Sequence, residues 1–391
     1  MKVAYVLHQT NAANGAAKSF MVMLKGLMQK GVGAYVILPD RSGLYRDLEK
    51  MGVAVYAATY KYNTYPDLTT WKDDVLFLPR LLVRLYVNRR AAKAVAAFLA
   101  DKHVDLVHTN VSVCGVGYRV ARLLGVPHVY HIREYGDKDF HYRYFPSRRA
   151  FLKTLDSPRS YTVFITKAIQ QHFRQETKPE SRVIYNGICP RQSSFPFTSG
   201  GEPHKPFFLF VGKVIAPKGV YELLTAYCQY KTTVDGALPL YVVGDTDDTA
   251  YYSKLQDYMA AHGLNESVKF LGVRNDVASL MLQARALIVP SLNEGFGRCM
   301  PEAMFNGCLC IAHNTGGTKE QLDNGVQMTG AEIALRYDTV DELAVLLRQV
   351  ASAGTADFLP MRRLAFNVVN SLYSSEAHVD SMLSFYQNLV K

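Results

Sequence analysis

The sequence predicts an α/β protein made of two doubly wound, Rossmann-like domains, and three observations carry that prediction. Short apolar runs rich in Val, Ile and Tyr alternate with longer segments of helical period, which is the pattern of β-α units building a parallel sheet. The rhythm breaks once, at the polar stretch Arg191 to Lys205 (RQSSFPFTSGGEPHK), and then restarts. Glycine-bearing turns follow several of the apolar runs, at the strand ends where open parallel sheets hold ligands.

Taken in order, strands are expected near residues 2–7, 34–38, 53–58, 104–108, 127–131, 161–166 and 182–185, with helices between them. After the break they are expected near 207–212, 239–243, 267–271, 286–290 and 309–313. The chain therefore divides into an N-terminal domain (1–190), a linker (191–205), a C-terminal domain (206–370) and a closing segment (371–391). Ser374 to Lys391 reads as a helix with a Ser cap and an apolar stripe through Val379, Met382, Leu383, Phe385 and Tyr386. Two such domains facing each other would enclose a cleft lined by both sets of strand ends.

Composition narrows the class. With 391 residues and ~150 per domain, a single small module is excluded. Apolar residues at 49% and charged residues at 20% exclude wholesale disorder. The net charge of +10 is uneven: residues 1–190 hold 28 Lys plus Arg against 14 Asp plus Glu (+14), and residues 191–391 hold 16 against 20 (−4). The basic half is expected to meet something anionic. No apolar run is long enough for a membrane span, and MKVAYVL is too short for a signal-peptide core. The six cysteines form no C-x-x-C pair, which favours reduced, packed thiols in a cytosolic protein over a metal site.

The chemistry concentrates in Pro290 to Glu320, PSLNEGFGRCMPEAMFNGCLCIAHNTGGTKE. An apolar strand runs into the loop Ser291 to Arg298, and Pro301 suits the first turn of a helix carrying Glu302. Gly295 and Gly297 let backbone approach a ligand, and free N–H groups at the helix start suit phosphate. Glu294 and Glu302, one in the loop and one in the first helical turn, can accept hydrogen bonds from vicinal hydroxyls. Lys213 and Lys218, beside glycines at a strand end in VGKVIAPKG, suit a charged leaving group.

The run E-G-F-G-x4-E-A-M-x2-G with its downstream G-G-T-x-E resembles the signature of the retaining group 1 (family four) glycosyltransferases, which have the GT-B fold. Gly15-Ala16, VIYNG (183–187), VGKVIAPKG (211–219), YVVGD (241–245), FLGVRNDV (270–277) and PS (290–291) follow in matching order. The resemblance implies transfer of a sugar from a nucleotide diphosphate sugar to a hydroxyl, with retention and with no metal or other cofactor. It places Glu294 on the donor sugar and Glu302 on the ribose hydroxyls. The backbone of Gly295, Phe296, Gly297 and Arg298 would lie along sugar and diphosphate, Lys213 and Lys218 would grip the diphosphate, and Gly15 would let its loop close over the phosphates. Lys213 stands where the family usually has Arg and lacks the planar fork. The last helix would cross back to the first domain.

In the N-terminal domain the resemblance implies a catalytic histidine just after the strand in VPHVYHIRE, which falls on His131 or, two residues on, on Arg133; His131 is favoured. Glu134 and Asn110 are further acceptor-side candidates. Asp245-Thr246-Asp247-Asp248 looks like a D-x-D metal motif, but it occupies a Gly-Asp loop where the resembling enzymes hold no metal.

The segment FLPRLLVRLYVNRRAAKAVAAFLA (77–100) reads as a helix with an apolar stripe and a cationic flank, and HYRYFPSRRAFLK (141–153) interleaves aromatics with bases. Both are candidates for anionic lipid head groups, with a core-packed helix as the alternative. No nucleic-acid recognition motif is present. These features point to a cytoplasmic, peripheral enzyme of cell-surface polysaccharide or glycolipid synthesis acting on a lipid-linked or saccharide acceptor. A noncatalytic GT-B accessory subunit and a nucleotide-sugar epimerase stay open as other readings.

Overall fold

The computed structural model describes residues 1–390 apart from 13, 67, 69 and 197–205, so most of the expected linker lies outside the described residues. The chain forms two compact units: Met1–Gly187 together with Ser375–Lys391, and Ile188–Ser374.

The first unit carries a seven-stranded parallel sheet: β1 (Lys2–Val6), β2 (Gly33–Leu38), β3 (Ala54–Ala57), β4 (Leu106–Thr109), β5 (His128–Ile132), β6 (Ser160–Phe164) and β7 (Ser181–Val183). Its order is β3-β2-β1-β4-β5-β6-β7, which reverses between β1 and β4. Val3 to Val6 and Leu106 to Thr109 are buried throughout, as strands covered on both faces must be. The helix Gly15–Gln29 follows β1; Asn14 caps it by accepting from the Ala16 N–H at 2.9 Å.

The last helix, Ser375–Leu389, belongs to this unit and buries Val379, Met382, Phe385 and Tyr386. It lies so close to Gly15–Gln29 that a Cβ on Gly26 would fall 2.3 Å from a Val379 methyl. Its polar side chains also enter the unit: His378 Nδ1 lies 2.6 Å from the Tyr185 carbonyl, and the Tyr386 hydroxyl 2.7 Å from His108 Nδ1.

The second unit carries six parallel strands: β8 (Phe208–Val211), β9 (Leu240–Val243), β10 (Val268–Gly272), β11 (Ala286–Val289), β12 (Cys310–His313) and β13 (Leu335–Tyr337), in the order β10-β9-β8-β11-β12-β13. The order reverses between β8 and β11, so the loops after those two strands meet at the switch point. Each of the twelve expected strands overlaps an observed one. β13 was not expected, because Leu-Arg-Tyr is too short to show a period. Residues 191–196 pack on this unit: Gln192 N–H donates to Asn370 at 2.8 Å, and the Phe195 ring lies edge-on to Phe366.

Candidate functional site

In the second unit the loops after β8 and β11 converge. After β8 a single 3-10 turn, Ala216–Lys218, leads through Gly219 into the helix Val220–Lys231. Gly219 has φ +69°, and a Cβ there would lie 2.0 Å from the Pro290 carbonyl oxygen, so only glycine lets the two loops touch. The contact delivers Lys218 to Glu294: Nζ donates to Oε2 at 2.6 Å, with the side chains 28% and 12% exposed.

Glu294 is held from below by the start of the helix Gly316–Thr329. Gly317 N–H donates to the Glu294 carbonyl at 2.7 Å, and a Cβ on Gly316, whose φ is +51°, would come within 2.6 Å of the same oxygen. Phe296 is buried with its ring edge-on to Tyr373, and the Gln321 side chain donates to its carbonyl. Gly297 takes φ +80° and turns the chain into Arg298, the N-cap of the helix Cys299–Phe305. Arg298 Nη2 donates to Glu302 Oε1 at 3.1 Å, one helical turn on. Burial, with Glu294 nearby, pushes the Cys299 thiol up to about 12, which removes it as a nucleophile.

Lys213 is placed differently from Lys218. It is 69% exposed and reaches toward Asp245, 4.0 Å away across the neighbouring β8 and β9 loops. The D-T-D-D run has local work: Asp245 accepts from Asp247 N–H at 3.0 Å, and Asp248 caps the helix Thr249–Ala261 by accepting from Tyr251 N–H at 3.1 Å. Among the described residues no three His, Cys, Asp or Glu side chains are grouped as a metal ion would require.

In the first unit the strand ends assemble a polar network around Arg133, the residue after β5. Its Nε donates to Asn110 Oδ1 at 3.0 Å, its Nη2 to His131 Nδ1 at 3.2 Å, and its Nη1 to Asn186 Oδ1. Arginine only donates, so the bond makes His131 Nδ1 an acceptor and puts the ring proton on Nε2. Asn110 in turn donates to the Ala16 carbonyl at 3.3 Å, which ties the network to the helix that Gly15 opens.

His131 and Arg133 have different surroundings. The His131 ring is 0% exposed, lies against the rings of His108 and His378, and is held neutral because burial and Arg133 drive its pKa well below the usual range. Its Nδ1 holds one arm of the Arg133 guanidinium. Glu134 turns away from the network: its Oε1 accepts from Ser112 N–H at 2.9 Å and Ser112 Oγ at 2.6 Å, and burial raises its carboxyl to about 7.

Two residues of this network were missed. Asn186, after β7, holds Arg133, and His8, after β1, has its pKa lowered to about 4 by burial and by Arg133. The rule that selected Asn110, a polar side chain ending a strand, would have found both.

The comparisons with known proteins fit this geometry. Residues 193–354 match the family described as Glycosyl transferases group 1, and residues 13–192 match Glycosyltransferase Family 4. The chain belongs to the group 1 glycosyltransferases. It is similar to the uncharacterised glycosyltransferase MJ1178 of Methanocaldococcus jannaschii, 26% identical over 236 residues (58% of this chain and 61% of that protein). It is also similar to N-acetyl-alpha-D-glucosaminyl L-malate synthase of Bacillus anthracis, 30% identical over 131 residues (34% and 33%). The matched stretch thus spans less than two thirds of these relatives' length.

Among solved structures, Anabaena HepE in complex with UDP and glucose superposes with TM-score 0.74 at 20% identity over 99% of both chains. A glycosyltransferase of Rickettsia africae gives TM-score 0.77 at 18% identity, covering 100% of this chain and 99% of that one. This group 1 chain has the GT-B fold.

Proposed function

We propose that the chain transfers a sugar from a nucleoside diphosphate sugar to a hydroxyl of a lipid-linked or saccharide acceptor, with retention of configuration and without a metal. The observation that carries this reading is the Lys218–Glu294 pair, set at a strand-order switch point between two loops whose glycines permit contact. A cation and a carboxylate side by side match what a sugar diphosphate needs: positive charge on the departing phosphate and an acceptor for sugar hydroxyls.

Lys218 stabilises the leaving diphosphate, Glu294 orients the sugar, and Glu302 takes the ribose hydroxyls once Arg298 turns to the phosphate side. Lys213 adds a second, flexible cation. In the first unit Arg133, with its fork set by Asn110, His131 and Asn186, is the cation assigned to the acceptor side of the reaction. Retention follows from same-face attack with the departing phosphate taking the acceptor proton. The UDP and UDP-glucose complexes of HepE make uridine diphosphate sugars the first donors to try.

The deciding assay is nucleotide release from UDP-, GDP- and ADP-sugars with EDTA present, with and without a lipid extract. Release from one donor that rises with lipid supports the reading. Nucleotide binding with no release from any donor overturns it in favour of an accessory subunit, and release of free nucleotide with an altered sugar and no acceptor product would indicate an epimerase.

A further inference from the structure

Eight of the 17 large apolar side chains exposed among the described residues fall within the single stretch 68–86. Leu68, Trp71, Val75, Leu76, Leu78, Leu82, Val83 and Tyr86 all stand in solvent, with Trp71 72% exposed and Leu78, Leu82 and Tyr86 at 66%, 65% and 65%. Leu68 precedes the short helix Trp71–Val75, Leu76 joins it to the long helix Phe77–Leu99, and the others lie on these two helices.

The long helix explains why they are outside. Its buried residues, Leu81, Asn88, Ala91, Ala92, Val95, Ala96 and Leu99, recur at helical spacing and lie mainly in its C-terminal half, which is the part packed on the unit. On the opposite face, at 100° per residue, Leu78, Leu82 and Tyr86 form a stripe that continues into Arg89 and Lys93, with Val83 and Arg90 beside it. The face is therefore apolar for its first turns and basic beyond them, the change falling about 16 Å along the axis from Leu78 to Arg89.

The position is built. Arg80 pairs with Asp73, which also caps the Trp71–Val75 helix through Thr70 at 2.9 Å, and Arg84 Nη1 donates to the Thr64 carbonyl at 3.0 Å. These bonds hold the apolar tip out from the unit. By contrast, within 141–153 Tyr144 and Phe151 are buried and stacked at 4.5 Å while Tyr142 and Phe145 are half-buried, so its aromatics present no exposed apolar face.

We propose that the 68–93 surface docks the protein on an anionic lipid bilayer, the apolar tip entering the acyl boundary and Arg89, Arg90 and Lys93 meeting head-group phosphates. Charge complementarity selects this occupant. Residues 71–93 hold six basic groups (Lys72, Arg80, Arg84, Arg89, Arg90, Lys93) against two acidic ones (Asp73, Asp74), so a second copy of the same face would be repelled while an anionic surface is attracted. An apolar tip of this width has no use on a polyanion such as nucleic acid. Among the described residues no helix is long and apolar enough to cross a membrane, so attachment through this face is peripheral. The surface extends the lipid-linked acceptor reading, but it is tested with neither donor nor acceptor present, so either can fail alone.

Trp71 is the chain's only tryptophan, so its emission reports this patch and nothing else. The full-length protein is titrated with phosphatidylcholine vesicles and with vesicles of phosphatidylcholine plus phosphatidylglycerol, and binding is checked by flotation. The expected result is a blue shift and co-flotation with the anionic vesicles only, weakened by salt. Arg89→Glu with Arg90→Glu should lower binding at least about tenfold, and Leu82→Ser about tenfold, while circular dichroism stays unchanged because these side chains are exposed. No shift and no flotation overturns the proposal. A blue shift that instead grows with protein concentration in the absence of lipid, together with dimer in sedimentation, also overturns it and assigns the face to a second copy.

Discussion

Removing the charge of Glu294 should strengthen the binding of a bare nucleoside diphosphate, because the carboxylate competes for the cation that the diphosphate needs. At 2.6 Å and an effective dielectric constant of ~20, the gross Lys218–Glu294 attraction is about 6 kcal/mol. With the side chains 28% and 12% exposed, solvent screening and side-chain entropy reduce the net coupling to about 1–3 kcal/mol. A diphosphate must draw Lys218 away from this partner. Glu294→Gln keeps the shape and removes the competition, so UDP affinity should rise by about tenfold, the equivalent of about 1.4 kcal/mol. Lys218→Met removes the cation itself and should weaken UDP by at least about tenfold. Both variants should lose sugar transfer, by on the order of a hundredfold or more, since the intact donor needs both groups. Titration calorimetry with UDP, GDP and ADP at two salt concentrations reads the affinities. If Glu294→Gln weakens nucleotide binding as Lys218→Met does, the carboxylate holds the lysine in its binding pose and the competition argument is wrong.

Three further expectations follow from other parts of the structure. Arg133→Lys keeps the charge but loses the fork that bonds Asn110, His131 and Asn186, so transfer should fall about a hundredfold with UDP affinity unchanged; equal loss in affinity would show that Arg133 serves the nucleotide. Glu134 has a folded pKa of about 7 against an ordinary 4.5, so its favourable contribution is full below 4.5 and is lost as pH rises through 7, a swing of about 3 kcal/mol. Thermal melts at pH 5 and pH 8 should therefore diverge less in Glu134→Gln than in the wild type; equal pH slopes would refute the burial of an ionisable carboxyl. Gly316→Ala forces a Cβ to within 2.6 Å of the Glu294 carbonyl at φ +51°, and should lower both the melting temperature and UDP binding, where an unchanged melt would show that the loop moves freely.

Much of this was legible in the residues. Strands such as β1 and β4 are buried along their whole length, and burial on both faces leaves continuous apolar runs that stand out from helical periods. Lys218 and Glu294 were each legible as candidates because each sits beside glycines after a strand; their ion pair was not, because it depends on topology bringing the ends of β8 and β11 together. What the residues did not reveal depended on three-dimensional surroundings. His131 and Arg133 fall two residues apart and look equivalent, yet the imidazoles of His108 and of His378 from the last helix enclose the first, while the second follows the strand end. The aromatic and basic run 141–153 looked like a surface because its spacing hides the stacking of Tyr144 on Phe151. Only packing decides which aromatic in a mixed run turns inward.

The uneven charge of the two halves follows from the same division of work. A sugar nucleotide carries a diphosphate, yet the half that holds Lys218 and Glu294 has 16 basic against 20 acidic residues. On the proposed reading, binding the donor is a local matter of one or two cations set beside permissive glycines and requires no field over the whole surface. The excess of 28 basic over 14 acidic residues in residues 1–190 fits the larger anionic surface proposed for the 68–93 face. Arg133 uses one of these charges inside the first unit, tied to neutral acceptors. Arg89, Arg90 and Lys93 stand in solvent directly behind an apolar tip, an arrangement that costs solubility unless something covers it. A lipid surface is both anionic and apolar within a few ångströms of depth, and it is the partner that would satisfy both parts of that helix at once.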